Sequence, residues 1–328
     1  MLHYTPRGIY CPEGDFYIDA TRAVERNIIT HAHTDHARRG SKHYIATPET
    51  STILQKKWKK ASIESLSYGM PKRFNHVTVS LHPAGHIFGS AQIRVQSGSE
   101  VWVVTGDFKR HHDPTCAPFE QLKCDVLVTE ATFGHESYEW PSPDKIFNAA
   151  ATWIKKNQKE GISSVLSCYS LGKAQRILME LEQRGINEVF VSEKIADFNS
   201  SYKTHGFALS NAIDYANQSA PGTVIMISPG TTQHTLPENA EKAFFSGWVN
   251  PNSPFKVRGF AISDHADFPG LIETAQQSGA KRVLTIYGHT HELSRALRAR
   301  GIASEPFEKP LSQLKLSEFW EKVNPWVI

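Results

Sequence analysis

The 328-residue chain contains no CxxC pair; its four cysteines, Cys11, Cys116, Cys124 and Cys168, are scattered. That spacing argues against a zinc ribbon or a small disulfide scaffold and fits a reducing compartment. No stretch approaches the roughly 20 apolar residues that a membrane-spanning helix requires, and the first residues lack a basic segment followed by a long apolar run. The expectation is a cytoplasmic protein with no membrane partner. Net charge is also scarce, +3 with sixteen histidines set aside, so attraction to a polyanion has to come from local basic patches. Long repeats and low-complexity tracts are missing. What remains is an ordinary globular composition, 40% hydrophobic and 21% charged, able to bury a substantial core in one large domain or two intertwined ones.

The first third reads as short strands and turns. DFYID, NIIT, KHYIAT, HVTVSLHPAG, AQIRVQS, EVWVVTGDF and DVLVTEATF are β-rich runs broken by Gly, Pro and His-rich loops. From Pro143 the pattern alternates: KIFNAAATWIKKNQ is helix-like, SSVLSCYS strand-like, GKAQRILMELEQRG helix-like and EVFVSE strand-like, which predicts a small parallel α/β unit. After GTVIMISPG and KVRGFAIS come the loop SDHAD, the helix-like PGLIETAQQSG and the strand RVLTIYG, and the His-rich character returns. The expected architecture is an αββα-type α/β domain, residues 1–142 and 258–328, interrupted by an inserted α/β domain over 143–257.

Three imidazoles and a carboxylate crowd into six residues after NIIT: His31, His33, Asp35 and His36 in the pattern HxHxDH. Imidazole with carboxylate suits zinc, manganese or iron, and a sharp turn lets adjacent side chains point into two neighbouring sites. His86 lies in HPAGHIFGSA, where small residues allow close backbone packing, and Asp107 follows the apolar strand of VWVVTGDF. Each taken singly fits an ordinary loop histidine or turn aspartate. Their order after HxHxDH argues for a shared metal centre.

With those residues in place, the sequence resembles the metallo-β-lactamase superfamily, Asp19 of DFYIDA matching its first motif and HxHxDH, His86 and Asp107 the next three. The resemblance implies that His31, His33 and His86 hold one divalent metal and Asp35 and His36 a second, with Asp107 bridging. Asp19 would orient the ligand loop, although a simple turn aspartate is its plainer reading. VTEATFG places Glu130, and FAISDHAD places His265, where the β-CASP branch carries an acid and a histidine. YCPEGDFYID, THAHTDHAR, LHPAGHIFGSAQ, DPTCAPFE and SDHADFPGL look like the bacterial ligase-associated DNA exonucleases of that branch. That likeness implies two zinc or manganese ions, DNA as partner in single strands or duplex ends, and a functional link to a DNA ligase and a helicase in DNA repair. One position departs: Tyr287 stands where relatives often carry the histidine that completes the second metal site, and His289 two residues on could take over if the chain stays extended. Relatives directed at DNA can lack this histidine.

A metal pair would turn a bridging water into the attacking hydroxide and neutralise the phosphoryl oxygens. His265, oriented by Glu130, would give the departing sugar oxygen its proton; a metal-ligand role, or a cap on the PGLIETAQQ helix shared with Asp267, are its alternatives. Lys173 in CYSLGKAQR could meet a phosphate at a helix start, or simply mark a strand-to-helix turn. Lys56 and Lys57, in a run of four lysines around Trp58, suit backbone contact with base stacking, or a solvated helix face. Three rivals share part of this pattern: a thioester or lactam hydrolase, which needs no insertion; a non-catalytic nucleic-acid-binding subunit, which need not keep the ligands; and an RNA-processing nuclease.

Overall fold

The computed structural model describes residues 1–216, 220–230, 236–249 and 258–308. Its first sheet takes six strands in chain order: β1 (His3–Thr5), β2 (Gly8–Cys11), β3 (Phe16–Ile18), β4 (Arg26–Ile28), β5 (His43–Ala46) and β6 (Ser62–Ser65), with helix α1 (Pro48–Lys57) crossing between the last two. The first three strands pair antiparallel and the rest parallel. The second sheet opens with β7 (Lys72–Phe74), β8 (Val77–Pro83), β9 (Ala91–Ser97) and β10 (Glu100–Val104) as an antiparallel meander, and adds β11 (Val126–Ala131) in parallel.

The chain then leaves this sheet. Helix α2 (Pro143–Lys159), β12 (Ser163–Ser167), α3 (Lys173–Glu182), β13 (Val189–Val191), α4 (Glu193–Lys203), β14 (Ala212–Asp214), β15 (Val224–Ile227), β16 (Ala240–Phe245) and β17 (Gly259–Phe260) build a third sheet. Its pairs are all parallel, in the order β14-β13-β15-β12-β16-β17. Helix α5 (Phe268–Ser278) leads back to β18 (Arg282–Gly288), which pairs directly with β11, and α6 (Thr290–Arg298) and β19 (Ser304–Pro306) finish the second sheet. Strands adjacent in space are thus separated by a long excursion in sequence, as the change of texture at Pro143 leads one to expect. The other expected boundary, between 257 and 258, borders residues 250–257, which lie outside the described ones, as does the start of KVRGFAIS.

Period-two alternation sorts the strand residues between cores. Phe16, Ile18, Ile28 and Ile45 of the first sheet share a core with Val79, Leu81, Ile93, Val104 and Val128 of the second. Their neighbours Val103, Leu127 and Val283 point the other way, against Leu271 and Ala275 of α5 and Leu293 and Leu297 of α6. Tyr44 and Ala46 likewise turn to Ile53 and Leu54 of α1, and that core continues into Phe147, Ile177 and Val191 around the third sheet. Each fully buried Val, Leu, Ile or Phe among them contributes about 1.5–3 kcal/mol. The strand ends are therefore firmly placed, and the loops beyond them can carry strained, polar chemistry.

All four cysteines are free, Cys11 and Cys168 buried. Among the described residues no helix is long and apolar enough to cross a membrane.

Candidate metal centre and cleft

The charged and imidazole side chains singled out in the sequence stand mainly on loops just past strand ends. Asp19 follows β3, the HxHxDH loop follows β4, His86 lies between β8 and β9, Asp107 follows β10, Glu130 is the last but one residue of β11, and His265 precedes α5. Glycines permit the tight approach at two of these positions. Gly85 (φ +70°) lies so close to the Lys109 carbonyl that a Cβ would meet it at 2.4 Å, and Gly106 (φ +55°) so close to Thr30 that one would meet its side chain at 2.7 Å.

Each imidazole is tied back by one nitrogen, which fixes the nitrogen left to face the centre. His86 donates from Nδ1 to the Asp264 carbonyl (2.7 Å) and His33 from Nε2 to the Leu171 carbonyl (3.1 Å). Thr30 gives its hydroxyl hydrogen to Asp19 Oδ2 at 2.5 Å, so its oxygen accepts from His31 Nδ1 at 3.1 Å. The bare nitrogens then converge: His33 Nδ1 lies 3.1 Å from both His31 Nε2 and His86 Nε2. Asp107 Oδ2 stands 3.6 Å from the first of those Nε2 atoms and 3.7 Å from the second. Burial, reinforced by the neighbouring imidazoles, pushes His31 and His86 well below the usual histidine range, and burial lowers His33 too, so the lone pairs stay unprotonated. Three lone pairs facing one another at this spacing repel unless a cation lies among them. Tetrahedral ligation at about 2.0–2.1 Å sets nitrogens roughly 3.3 Å apart, so the donor set fits a divalent metal. The four donor atoms, one each from His31, His33, His86 and Asp107, lie within 4.8 Å of one another.

A second group adjoins it. His36 donates from Nδ1 to Asp19 Oδ2 (2.8 Å) and turns Nε2 toward Asp107 Oδ2 (3.4 Å) and Asp35 Oδ2 (3.8 Å). Burial would lower His36, but Asp107 and Asp19 outweigh it and hold it well above the usual range. Asp19 also accepts the Thr30 amide at 2.8 Å, so one buried carboxylate sets both His31, through Thr30, and His36. Replacing it by Asn should loosen both rings and weaken metal retention about 10- to 100-fold in chelator competition, whereas Asp15→Asn on the exposed turn should leave retention unchanged.

His289 does not join this group. Tyr287 takes φ +64°, a left-handed conformation costly for a bulky side chain, and Gly288 repeats it, so the chain turns instead of staying extended. His289 becomes the residue before α6, with its ring 5.5 Å from Tyr138 and 5.9 Å from His135. It is Tyr287 that faces the centre, its ring 5.2 Å from His36.

Opposite the imidazole cluster, Glu130 and His265 form a pair. Glu130 accepts the Phe108 amide on Oε1 (2.7 Å) and the His265 Nδ1 proton on Oε2 (2.8 Å), which leaves Nε2 of His265 for the cleft. Burial alone would lower His265, but Glu130 and Asp107 overcome it and bring the group to about 9. The cap of α5, an alternative role for His265, is made by Asp267, whose Oδ1 accepts the Gly270 amide at 2.9 Å.

The lysines fare differently from one another. Lys173, buried at the start of α3, lines the same cleft with Nζ 3.3 Å from Asp264 Oδ2. Lys56 is ion-paired with Asp197 and bonded to Ser200, neither of them at the cleft, and Lys57 beside it does not line the cleft either. Trp58 is 6% exposed and packs on Tyr44, so it is a core residue and offers no stacking surface. Sequence patterns gave no sign of the aromatic residues that do line the cleft, Phe133, Tyr169 and Trp248, nor of the buried network behind it. There Lys109 donates to Asp113 Oδ2 at 2.6 Å and to the His86 carbonyl at 3.3 Å. The cleft encloses about 430 Å³, within the range of small-ligand sites.

A buried, convergent His/Asp cluster at strand ends beside a His–Glu pair has the make-up of a metal-binding centre. No family model matches the chain. Among curated proteins it is 28% identical over 305 residues to a protein named "Probable DNA ligase" from Opitutus terrae, across 90% of this chain and 30% of that one. It is 30% identical over 127 residues to "Endoribonuclease ysh1" of Emericella nidulans, across 37% of this chain and 14% of that protein. "Cleavage and polyadenylation specificity factor 73" of Drosophila melanogaster is 22% identical, with 69% of this chain and 36% of that protein covered. The chain therefore spans little more than a third of these relatives' length at most. A crystal structure of a protein of unknown function from Enterococcus faecalis shares the fold at TM-score 0.61 and 12% identity, over 87% of this chain and 79% of that one. These relatives fit the resemblance to the β-CASP branch of the metallo-β-lactamase superfamily that the motifs carry.

Proposed function

We propose that this chain is a metal-dependent nuclease that hydrolyses DNA phosphodiester bonds, acting as an exonuclease in repair alongside a DNA ligase and a helicase. The observation that carries it is the pairing, across one cleft, of the convergent imidazole cluster with a His265 hydrogen-bonded to the buried Glu130. On this reading the first two sheets and their flanking helices form an αββα sandwich over residues 1–142 and 258–328, and residues 143–257 form the inserted domain that closes the cleft. His31, His33, His86 and Asp107 would hold one zinc or manganese ion, and Asp35 and His36 would share Asp107 with a second. When bound, such ions supply an activated water and positive charge for the phosphoryl oxygens.

The remaining steps fall to side chains. Asp19 keeps the ligand rings in register, and Lys173, its ammonium paired with Asp264, stands at the cleft wall where a phosphate would pass. His265 holds a proton on Nε2, 135 residues from the Glu130 that orients it, and delivers it to the departing sugar oxygen. An acid must carry its proton, so activity should fall as pH rises through the His265 pKa. Glu130→Gln removes a neighbouring negative charge and should move that alkaline limb to lower pH; an unchanged limb in kcat profiles would count against His265 as the acid.

DNA is favoured by the match to a ligase-named protein along 90% of the chain. The endoribonuclease-named relative, matched over 37%, favours RNA. Competition between matched DNA and RNA strands of one sequence separates the two. Preferential loss of DNA is expected; preferential loss of RNA would assign the chain to RNA processing.

A further inference from the structure

Among the described residues seven large hydrophobic side chains are exposed, and three of them, Tyr169 (57%), Trp248 (45%) and Tyr287 (41%), line this one cleft. Chance scatter of single exposed apolar residues over the surface is ordinary; their concentration at a polar cleft calls for a ligand with flat apolar faces. Trp248 rests on a firm base. The buried Phe133 ring lies 4.7 Å from it and also contacts Tyr138 at 4.9 Å and Trp140 at 4.8 Å. Gly247 presses so near that a Cβ would meet the Phe133 ring at 2.7 Å. Phe133 in turn stands 5.8 Å from His265, which puts this platform on the side where the sugar oxygen departs. Tyr169, on the loop between β12 and α3, carries Lys173 Nζ 5.0 Å over its ring.

Electrostatics point the same way. Among the described residues lining the cleft the one Lys or Arg is Lys173, and Asp264 already faces it. A duplex tracked along its backbone by lysine and arginine needs a file of them, which the described residues of this cleft do not supply. Bases offered to aromatic faces need none, but they must be unpaired and unstacked to reach them.

From these observations, and resting on the nuclease reading above, we infer that the cleft selects an unpaired DNA strand by stacking its bases on Trp248 and Tyr169. Strand choice then comes from exposed bases, with little regard to sequence and a shallow dependence on salt.

The test compares a fluorescent single-stranded oligonucleotide with one of equal length whose central nucleotides are abasic, so that phosphates are kept and bases removed. Cleavage kinetics are read with metal, and binding anisotropy with metal-free protein in chelator. The wild type should favour the base-bearing strand. In Trp248→Ala that preference should collapse toward unity through a KM raised roughly 5- to 150-fold, with kcat changed less, and Trp248→Phe should recover much of it. Tyr169→Ala should act in the same direction. Equal handling of both strands by the wild type, or an equal loss on both in Trp248→Ala, would overturn the inference while leaving the nuclease reading intact. Binding that prefers bases without cleavage of any strand would uphold the inference and sink the nuclease reading.

Discussion

Asp107→Ala should strip the protein of bound metal and lower its activity by more than about 100-fold, beyond the 10- to 100-fold that disturbing an orienting partner costs. The expectation follows from one oxygen. Asp107 Oδ2 lies 3.4 Å from His36 Nε2, 3.6 Å from His31 Nε2 and 3.7 Å from His86 Nε2, so it touches both groups of donors. Burial raises the cost of its charge, yet His36 and His265 outweigh that and hold the carboxyl well below the usual range, keeping it ionised and ready to bind a cation. Removing it leaves three neutral imidazoles in one group of donors and His36 with the exposed Asp35 in the other. Metal content by elemental analysis reads the result directly, and full occupancy in Asp107→Ala would contradict the assigned donor set.

His265→Ala should behave in the opposite way, retaining metal while kcat falls by about 10²- to 10⁴-fold, the usual contribution of a positioned general acid. The Glu130 carboxylate and the Asp107 charge raise His265 to about 9, so the wild-type ring is protonated at neutral pH. The decisive comparison is the leaving group. A nitrophenolate departs without a proton, so a bis(nitrophenyl) phosphate should lose far less from this substitution than a DNA strand. Equal losses on both would mean that His265 positions the substrate or a metal and donates nothing.

Much of the centre was legible in the sequence because its donors sit at the ends of recognisable strands. HxHxDH after β4, His86 after Gly85 and Asp107 after Gly106 each follow an apolar run whose burial fixes where the loop begins. Glu130 and His265 stand 135 residues apart, so family resemblance carried that pair and the hydrogen bond between them needed coordinates. The substitute role for His289 failed on backbone conformation: it assumed an extended chain, and the left-handed Tyr287 and Gly288 turn it away. Of the lysine run, Lys56 and Lys57 are exposed, as the solvated-face reading has it, while Trp58 closes a core over Tyr44, a burial that composition does not show. The aromatic wall was invisible for the converse reason. Phe133, Tyr169 and Trp248 share no period and no motif; they follow β11, β12 and β16, strands of two different sheets, and only the fold brings them to one cleft. Helix α4 escaped notice too, since EKIADFNSSYK buries only Ile195, Asn199, Ser201 and Tyr202 and shows little apolar periodicity.

The most direct measurement is digestion of end-labelled single-stranded and duplex DNA by metal-free protein and by the same protein reloaded with zinc or manganese. Shortening of the labelled strand only after reloading, and its arrest by chelator, is the result expected. Failure of the fully metal-loaded protein to cut any strand would contradict the nuclease assignment and leave a small-molecule hydrolase or a binding subunit in its place.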